Sequence, residues 1–453
     1  MRHLHGTARV RRQGIRHPAR LVPLAFLATI VLGTAVLMLP IARAGEGSAP
    51  FLTALFTAVS ASCVTGLAVV DTATYWSGFG QATIFLLFQV GGFGMMTGAT
   101  LLALMVANRI GLGTQLALQA ETRSVGLGDV RAVLHLIVAI TLAVEAAIAV
   151  ALTLRLRLHY GETWADALWN GAFHAVSAFN NAGFSTYSAG LVPFAHDALF
   201  LLPVMVAIVV GGIGFPVLHE LRVRGRAWRR WSVHTKITVF GTAFLMVAGA
   251  LLIGAYEWDD PATLGTLSIG DRVLNAAFLS VSARTAGFNA VDIGALRTES
   301  LVLHGVLMFI GAGSAGTAGG IKLTTFFLLG FAVWAEVRGS QDTVAFGRRI
   351  CPRILRQALT VTLLGASAVA LGILVLTSTT YLPLEQVAFE AVSAFATVGL
   401  STGITAQLPP SAQWTLIALM YVGRVGTITV ATALALRGRH ASFRYPEERP
   451  IVG

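Results

Sequence analysis

The chain has 453 residues, 12% charged and 55% hydrophobic, with a mean hydropathy of +0.74. That composition excludes an ordinary soluble protein of two or three domains. The formal net charge is +11, and Lys236 and Lys322 are the only lysines among 32 basic residues. A pI near 10.6 in a soluble protein would point to nucleic acid. Here the hydropathy makes lipid headgroups the phosphate partner, and no nucleic-acid partner is expected. Cys63 and Cys351 are too few and too far apart for a disulfide framework or a Cys-rich metal site.

A membrane-crossing helix takes about 20 mainly apolar residues. Eight stretches qualify: 21–40, 80–105, 131–154, 198–218, 237–256, 301–333, 357–378 and 412–436. The first follows Arg9, Arg11, Arg12, Arg16 and Arg20, but its apolar run is long for a signal peptide and 40–47 has only a weak cleavage pattern. The termini and alternate loops hold 24 of the 32 Lys and Arg, and the other loops six. By the positive-inside rule, with an even number of spans, both termini are expected in the cytoplasm. Acidic residues divide the opposite way, thirteen outside and seven inside, giving −7 on the outer face and +17 on the inner. Lys322, Arg424 and Glu145 remain within spans. An acidic outer face concentrates cations, and the positive-inside bias alone yields the same split. The basic inner loop with Arg222, Arg224, Arg226, Arg229 and Arg230 suits anchorage to the anionic lipid bilayer or docking of a soluble regulator.

Between each odd-numbered span and the next lies a shorter apolar segment with a common ending. The four read Phe56-Thr-Ala-Val-Ser-Ala61, Phe173-His-Ala-Val-Ser-Ala178, Phe278-Leu-Ser-Val-Ser-Ala283 and Phe389-Glu-Ala-Val-Ser-Ala394. Each is followed by a glycine before Leu or Phe: Gly66, Gly183, Gly287 and Gly399. The segments are too short to span, so re-entrant helices are expected, starting at Ser48 and Pro50, Glu162 and Thr163, Asp271, and Pro383 and Glu385. The predicted fold is an all-α polytopic membrane protein with eight transmembrane helices. Four span, pore-helix, span repeats surround a pseudo-fourfold pore. The repeats cover 21–105, 131–218, 234–333 and 357–436, between a cytoplasmic segment 1–20 and a cytoplasmic tail 437–453.

The loops after the short helices share a glycine and small or polar neighbours, while their side chains differ. Their shared chemistry is therefore in the backbone. Glycine lets successive carbonyls turn toward one narrow axis, and rings of carbonyl oxygens replace the water shell of a cation. Helix C-termini aimed at the same cavity favour positive charge. For a single glycine, close helix packing would explain as much; four in register require more.

Val-Ser-Ala with its glycine loop, in four copies, resembles the potassium transporters of the Trk, Ktr and HKT superfamily over residues 21–436. The eight spans are most similar to the bacterial Ktr-type membrane subunit of the TrkH family. The resemblance implies a channel-like transporter of the bacterial cytoplasmic membrane, with potassium as the only ion and no organic cofactor. It implies a selectivity filter formed by Val64, Thr65 and Gly66, by Asn181, Ala182 and Gly183, by Thr285, Ala286 and Gly287, and by Thr397, Val398 and Gly399. It also implies a homodimer resting on a separate cytosolic nucleotide-binding regulatory subunit of the KtrA/TrkA type. An ion-coupled secondary cation transporter, driven by sodium or protons, is the alternative.

Below the filter, Gly91-Gly-Phe-Gly94, Gly211-Gly-Ile-Gly214 and Gly423-Arg-Val-Gly426 correspond, so Arg424 stands where the others have glycine. A mid-membrane Arg is costly and needs a cavity or a partner: a barrier in the pore, or a salt bridge with Glu145. The sixth stretch contains Gly311, Gly313, Gly316, Gly319, Gly320 and then Lys322, too many glycines for a regular helix. It lacks the spacing of a phosphate-binding loop, and it is read as a flexible intramembrane loop matching the gating loop of the resembled family. His135, His174, His219, His234 and His304 lack metal-ligand spacing, and no nucleophile and base constellation is visible, so no enzyme is expected.

Overall fold

The computed structural model describes residues 18–108 and 130–426, with Pro446 and Glu448. Among the described residues the helices of ten residues or more are α1 Pro18–Leu37, α2 Phe51–Ser62, α3 Gly78–Asn108, α4 Val130–His159, α5 Trp164–Asn180, α6 Ala198–Ile213 and α7 Phe215–Arg224. They continue as α8 Val233–Glu257, α9 Ile269–Ser282, α10 Thr298–Phe309, α11 Leu323–Val337, α12 Pro352–Thr379, α13 Leu384–Ala396 and α14 Pro410–Tyr421. Strand structure among the described residues is one two-residue hairpin, Val344–Ala345 with Arg348–Arg349.

Four helices are long and apolar enough to cross a membrane, over Gly78–Gly98, Val133–His159, Val233–Glu257 and Pro352–Thr379, and the pair α6–α7 makes a fifth if taken as one bent span. Their outer faces leave Phe244, Leu251 and Leu374 bare, the kind of apolar surface that a lipid tail covers. Two predicted spans are not continuous. Stretch 198–218 turns by 98° at Gly214, because Gly214 is left-handed at φ +97° and Pro216 in the next turn has no N–H to continue the helix. Stretch 301–333 is two helices, α10 and α11, separated by residues 310–322. The last stretch is helical through α14 and a π-helical turn, Val422–Gly426. Its remainder from 427 on, residues 1–17, residues 109–129 and the tail apart from Pro446 and Glu448 lie outside the described residues.

The short helices α2, α5, α9 and α13 have 12, 17, 14 and 13 residues. Thr163 caps α5 by accepting from the Asp166 N–H, and Pro50 and Pro383 stand at the starts of α2 and α13. The start of α9 is corrected. Its cap is Ser268, not Asp271; Asp271 sits one turn in and its carboxylate accepts from the Ser268 hydroxyl at 2.8 Å. Their phenylalanines Phe56, Phe173, Phe278 and Phe389 are all buried.

Packing closes these helices into a circle. The short helices lie against the long helices before them, α2 on α1, α5 on α4, α9 on α8 and α13 on α12. Each following helix then touches the next short helix: α3 meets α5, α6 meets α9, α10 meets α13, and α14 returns to α2.

Outside the membrane-crossing segments, Asp197 caps α6 and pairs with Arg155 at 2.7 Å and the Tyr160 hydroxyl at 3.1 Å. Burial pushes its carboxyl up, but the bond from Arg155 and then that from Tyr160 outweigh it and hold the pKa below the usual carboxylate range. A depressed folded-state pKa gives stability that is full above the ordinary carboxylate pKa and is lost as pH falls through the lowered value. Thermal melts in detergent at falling pH should therefore show an acid-dependent loss that is smaller in Asp197→Asn, which can still cap the helix.

Candidate ion pore

Three of the four short helices end in the same way. The N–H groups of Val64, Asn181 and Thr397 bond the carbonyls three residues back, and those of Thr65, Ala182 and Val398 bond the carbonyls five back, on Ser60, Ser177 and Ser393. This is the Schellman arrangement, which requires a left-handed residue just past the helix. That residue is Val64 at φ 56°, Asn181 at 58° and Thr397 at 50°. The third loop is one residue shorter: the N–H groups of Ala286 and Gly287 both bond the Ser282 carbonyl, at 2.9 and 3.4 Å, and Thr285 still stands at φ 70°. Three of these four are β-branched, for which left-handed backbone is a genuine outlier costing roughly 1–3 kcal/mol.

The four glycines are left-handed as well: Gly66 at φ 95°, Gly183 at 69°, Gly287 at 78° and Gly399 at 97°, with a residue of negative φ between each glycine and the left-handed residue two before it. Alternation in the sign of φ brings successive carbonyls to one side of the chain. The four loops meet. A methyl group on Gly66 would strike the Ala182 carbonyl and lie 3.0 Å from Gly183 Cα; on Gly183 it would lie 3.0 Å from the Ala286 oxygen and from Gly287 Cα. On Gly287 it would strike the Val398 carbonyl, and on Gly399 the Thr65 carbonyl, 3.1 Å from Gly66 Cα. The contacts run from the first loop to the fourth and back to the first, so the four glycines and the residues just before them, Thr65, Ala182, Ala286 and Val398, form one closed ring. All four glycines floor an open vestibule of about 410 Å³, whose wall includes Asp71 and Asp292.

The serine of each Val-Ser-Ala holds its loop. Ser60 Oγ donates to the Leu67 carbonyl at 2.7 Å and accepts from the Gly66 N–H at 3.1 Å. Ser177 donates to the Phe184 carbonyl at 2.9 Å, Ser282 to that of Phe288, and Ser393 accepts from the Gly399 N–H at 3.1 Å. The recurrence of the motif marks these four serines in the sequence, and their clamping bonds are visible only in the fold. Replacing Ser60 by Ala orphans a buried donor and acceptor, so Ser60→Ala should cost about 1–3 kcal/mol, read as a lower apparent Tm in detergent.

The glycines of the following helices are close-packing residues. Side chains at Gly91, Gly211 and Gly423 would strike the carbonyls of Ser62, Phe179 and Phe395, each four residues before a ring glycine.

Beneath the ring, residues 310–322 are clamped rather than loose. Gly313 and Thr317 donate to the Gly212 and Gly211 carbonyls at 2.9 and 3.1 Å, and Leu323 donates to Ala312 at 3.0 Å. Gly311, Gly313, Gly316 and Gly319 each lie where a side chain would collide with the Gly319, Ile213, Gly212 and Ala396 carbonyls respectively, and Gly320 is left-handed at φ 65°. Thr317 had no sequence signal beyond its glycine-rich setting, and it is the centre of the clamp. Its hydroxyl lies 3.1 Å from the Phe179 carbonyl and 3.0 Å from Asn181 Oδ1, and its carbonyl accepts from Arg424. Lys322 Nζ donates to the Ala318 carbonyl at 2.6 Å.

Two charges stand differently from expectation. Arg424 makes no salt bridge with Glu145. That carboxylate instead accepts from Gln89 at 3.0 Å and Asn180 at 3.1 Å, while Nε and Nη2 of Arg424 have no hydrogen-bond partner. Arg284, counted with the outer loops, is buried and donates to the Gly311 carbonyl at 3.0 Å, because the shortened third loop draws it in behind the ring. Nor does the outer acidity all face the vestibule: Asp197, Asp260 and Asp271 pair with Arg155, Arg297 and His196.

A closed ring of four backbone loops, open to a vestibule above and covered by a loop below, defines a membrane transport protein for ions. The family model TrkH, described as a cation transport protein, matches residues 8–444, and the chain belongs to that family. It is 39% identical over 436 residues to the Ktr system potassium uptake protein B of Bacillus subtilis (strain 168), covering 96% of this chain and 97% of that one. It is 36% identical over 444 residues to the protein of the same name from Vibrio alginolyticus, covering 96% and 94%. The crystal structure of the potassium transporter TrkH from Vibrio parahaemolyticus has the same fold, with a TM-score of 0.73 at 19% identity over 92% of this chain and 85% of that one. The family and these relatives are transport proteins, not enzymes.

Proposed function

We propose that this chain is the pore-forming membrane subunit of a potassium uptake system in a bacterial cytoplasmic membrane. Potassium sheds its water in the ring and is held by carbonyls of Val64 to Gly66, Asn181 to Gly183, Thr285 to Gly287 and Thr397 to Gly399. The C-termini of α2, α5, α9 and α13 add partial negative charge toward the cation. The observation that carries this reading is the closed circuit of glycine contacts beneath the vestibule. The names of the similar uptake proteins support potassium as the ion.

In this reading the chain has four repeats and eight spans with both termini in the cytoplasm. The loop from Gly311 to Lys322, held by Arg424, is the gate. The protein works as a homodimer whose gate is set by a cytosolic nucleotide-binding partner. The test is growth on limiting potassium of a bacterium stripped of its own uptake systems, with and without this chain and its partner. Membrane-inserted protein that restores neither growth nor rubidium uptake would refute the reading.

A further inference from the structure

The residue after each buried pore-helix phenylalanine differs in the four loops: Thr57, His174, Leu279 and Glu390. It lies one helical turn before the clamping serine, on the same helix face. In the second loop, His174 Nδ1 faces the Asn170 carbonyl at 2.7 Å, which only accepts, so Nδ1 carries the proton and Nε2 accepts from the Ser185 hydroxyl at 2.9 Å. Ser185 in turn accepts from the Tyr187 N–H at 3.0 Å. In the fourth, Glu390 accepts from the Ser401 hydroxyl, from the Thr402 N–H at 3.2 Å and from the Thr405 hydroxyl at 3.0 Å. Both His174 and Glu390 are fully buried.

Ser185 and Ser401 occupy the same place, two residues past Gly183 and Gly399, and both line the vestibule. The first and third loops are chemically unable to make this contact, since Ala68 in one and Leu279 in the other carry no polar side-chain atom. The order of glycine contacts puts the second and fourth loops on opposite sides of the ring.

We propose that His174 and Glu390 are positioning residues that fix the outer mouth of the ion pathway on one diagonal, and that the stiffness they give sets how well sodium is excluded. They touch no ion. Each holds the chain just outside a ring glycine, so that the carbonyls below cannot close around a smaller cation. The inference rests on the filter reading given under Proposed function.

The test is rubidium uptake by the full-length protein in proteoliposomes, competed with potassium or sodium. Ser401→Ala, Ser185→Ala and Glu390→Leu should each let sodium compete about threefold to tenfold better, the range that one buried hydrogen bond carries. Glu390→Gln, which keeps an acceptor for Ser401, should stay nearer wild type, and Ser401→Ala should add nothing to Glu390→Leu. The serine variants remove one oxygen each and decide the matter if Glu390→Leu fails to fold. Unchanged sodium competition in both serine variants, with Gly399→Ser altered, overturns the diagonal clamp and leaves the filter standing. Unchanged competition in all of them, Gly399→Ser included, overturns both.

Discussion

Gly399→Ser is expected to reduce the preference for potassium over sodium by about tenfold or more, because three penalties fall on one residue. Gly399 is left-handed at φ 97°, where a residue with Cβ loses roughly 1–2 kcal/mol, and about 1.4 kcal/mol is a factor of ten. The new Cβ would meet the Thr65 carbonyl, itself one of the ring oxygens, and would crowd Gly66 Cα at 3.1 Å. The serine hydroxyl adds a polar group that no other quadrant carries. Carbonyl rings discriminate through the spacing and number of their oxygens, so displacing one loop also shifts its neighbour. Uptake competed by sodium, measured on protein reconstituted at matched density, reads the effect. An unaltered ratio would remove the fourth loop from the pathway.

Arg424→Ala is expected to raise basal flux severalfold while the yield of folded protein holds. Two unit charges roughly 10 Å apart at an effective dielectric near 20 repel by about 1.7 kcal/mol, more than a factor of ten in the chance of finding a cation there. Removing a charge from a buried ion pair strands its partner and unfolds the site. Among the described residues no carboxylate pairs with Arg424, and the hydrogen bond lost with it there is the one to the Thr317 carbonyl. The same bond ties the clamp of residues 310–322 to the π-helical turn Val422–Gly426, so its removal loosens the cover as well as the barrier. Flux through the chain alone distinguishes the roles: lost protein with unchanged flux per molecule would make Arg424 a structural post.

Much of the pore was legible because it is written four times. A single glycine says little, but glycines four or five residues after four copies of Val-Ser-Ala marked the ring, and the glycine run after Gly311 marked the broken sixth stretch. The reasons behind those marks were less legible. The left-handed residue two before each glycine is Val64, Asn181, Thr285 or Thr397, and no propensity picks out β-branched residues for that conformation; tertiary packing imposes it. Thr317 becomes the centre of the clamp only because Phe179, Asn181 and Arg424, 107 to 138 residues away in sequence, surround it. Charge alone offers a salt bridge with Glu145 as one of two readings of Arg424, but that carboxylate accepts from the amides of Gln89 and Asn180.

The sequence by itself determined the solvent, the repeating motif and the positions of the glycines, because hydropathy and recurrence are properties of order along the chain. The tertiary structure decided which loop touches which, that the circuit closes, and which charges have partners. It also drew Arg284 away from the outer face that its place in the chain suggested. Those outcomes depend on distances between segments that meet only when α14 packs back against α2, and no local pattern encodes that return.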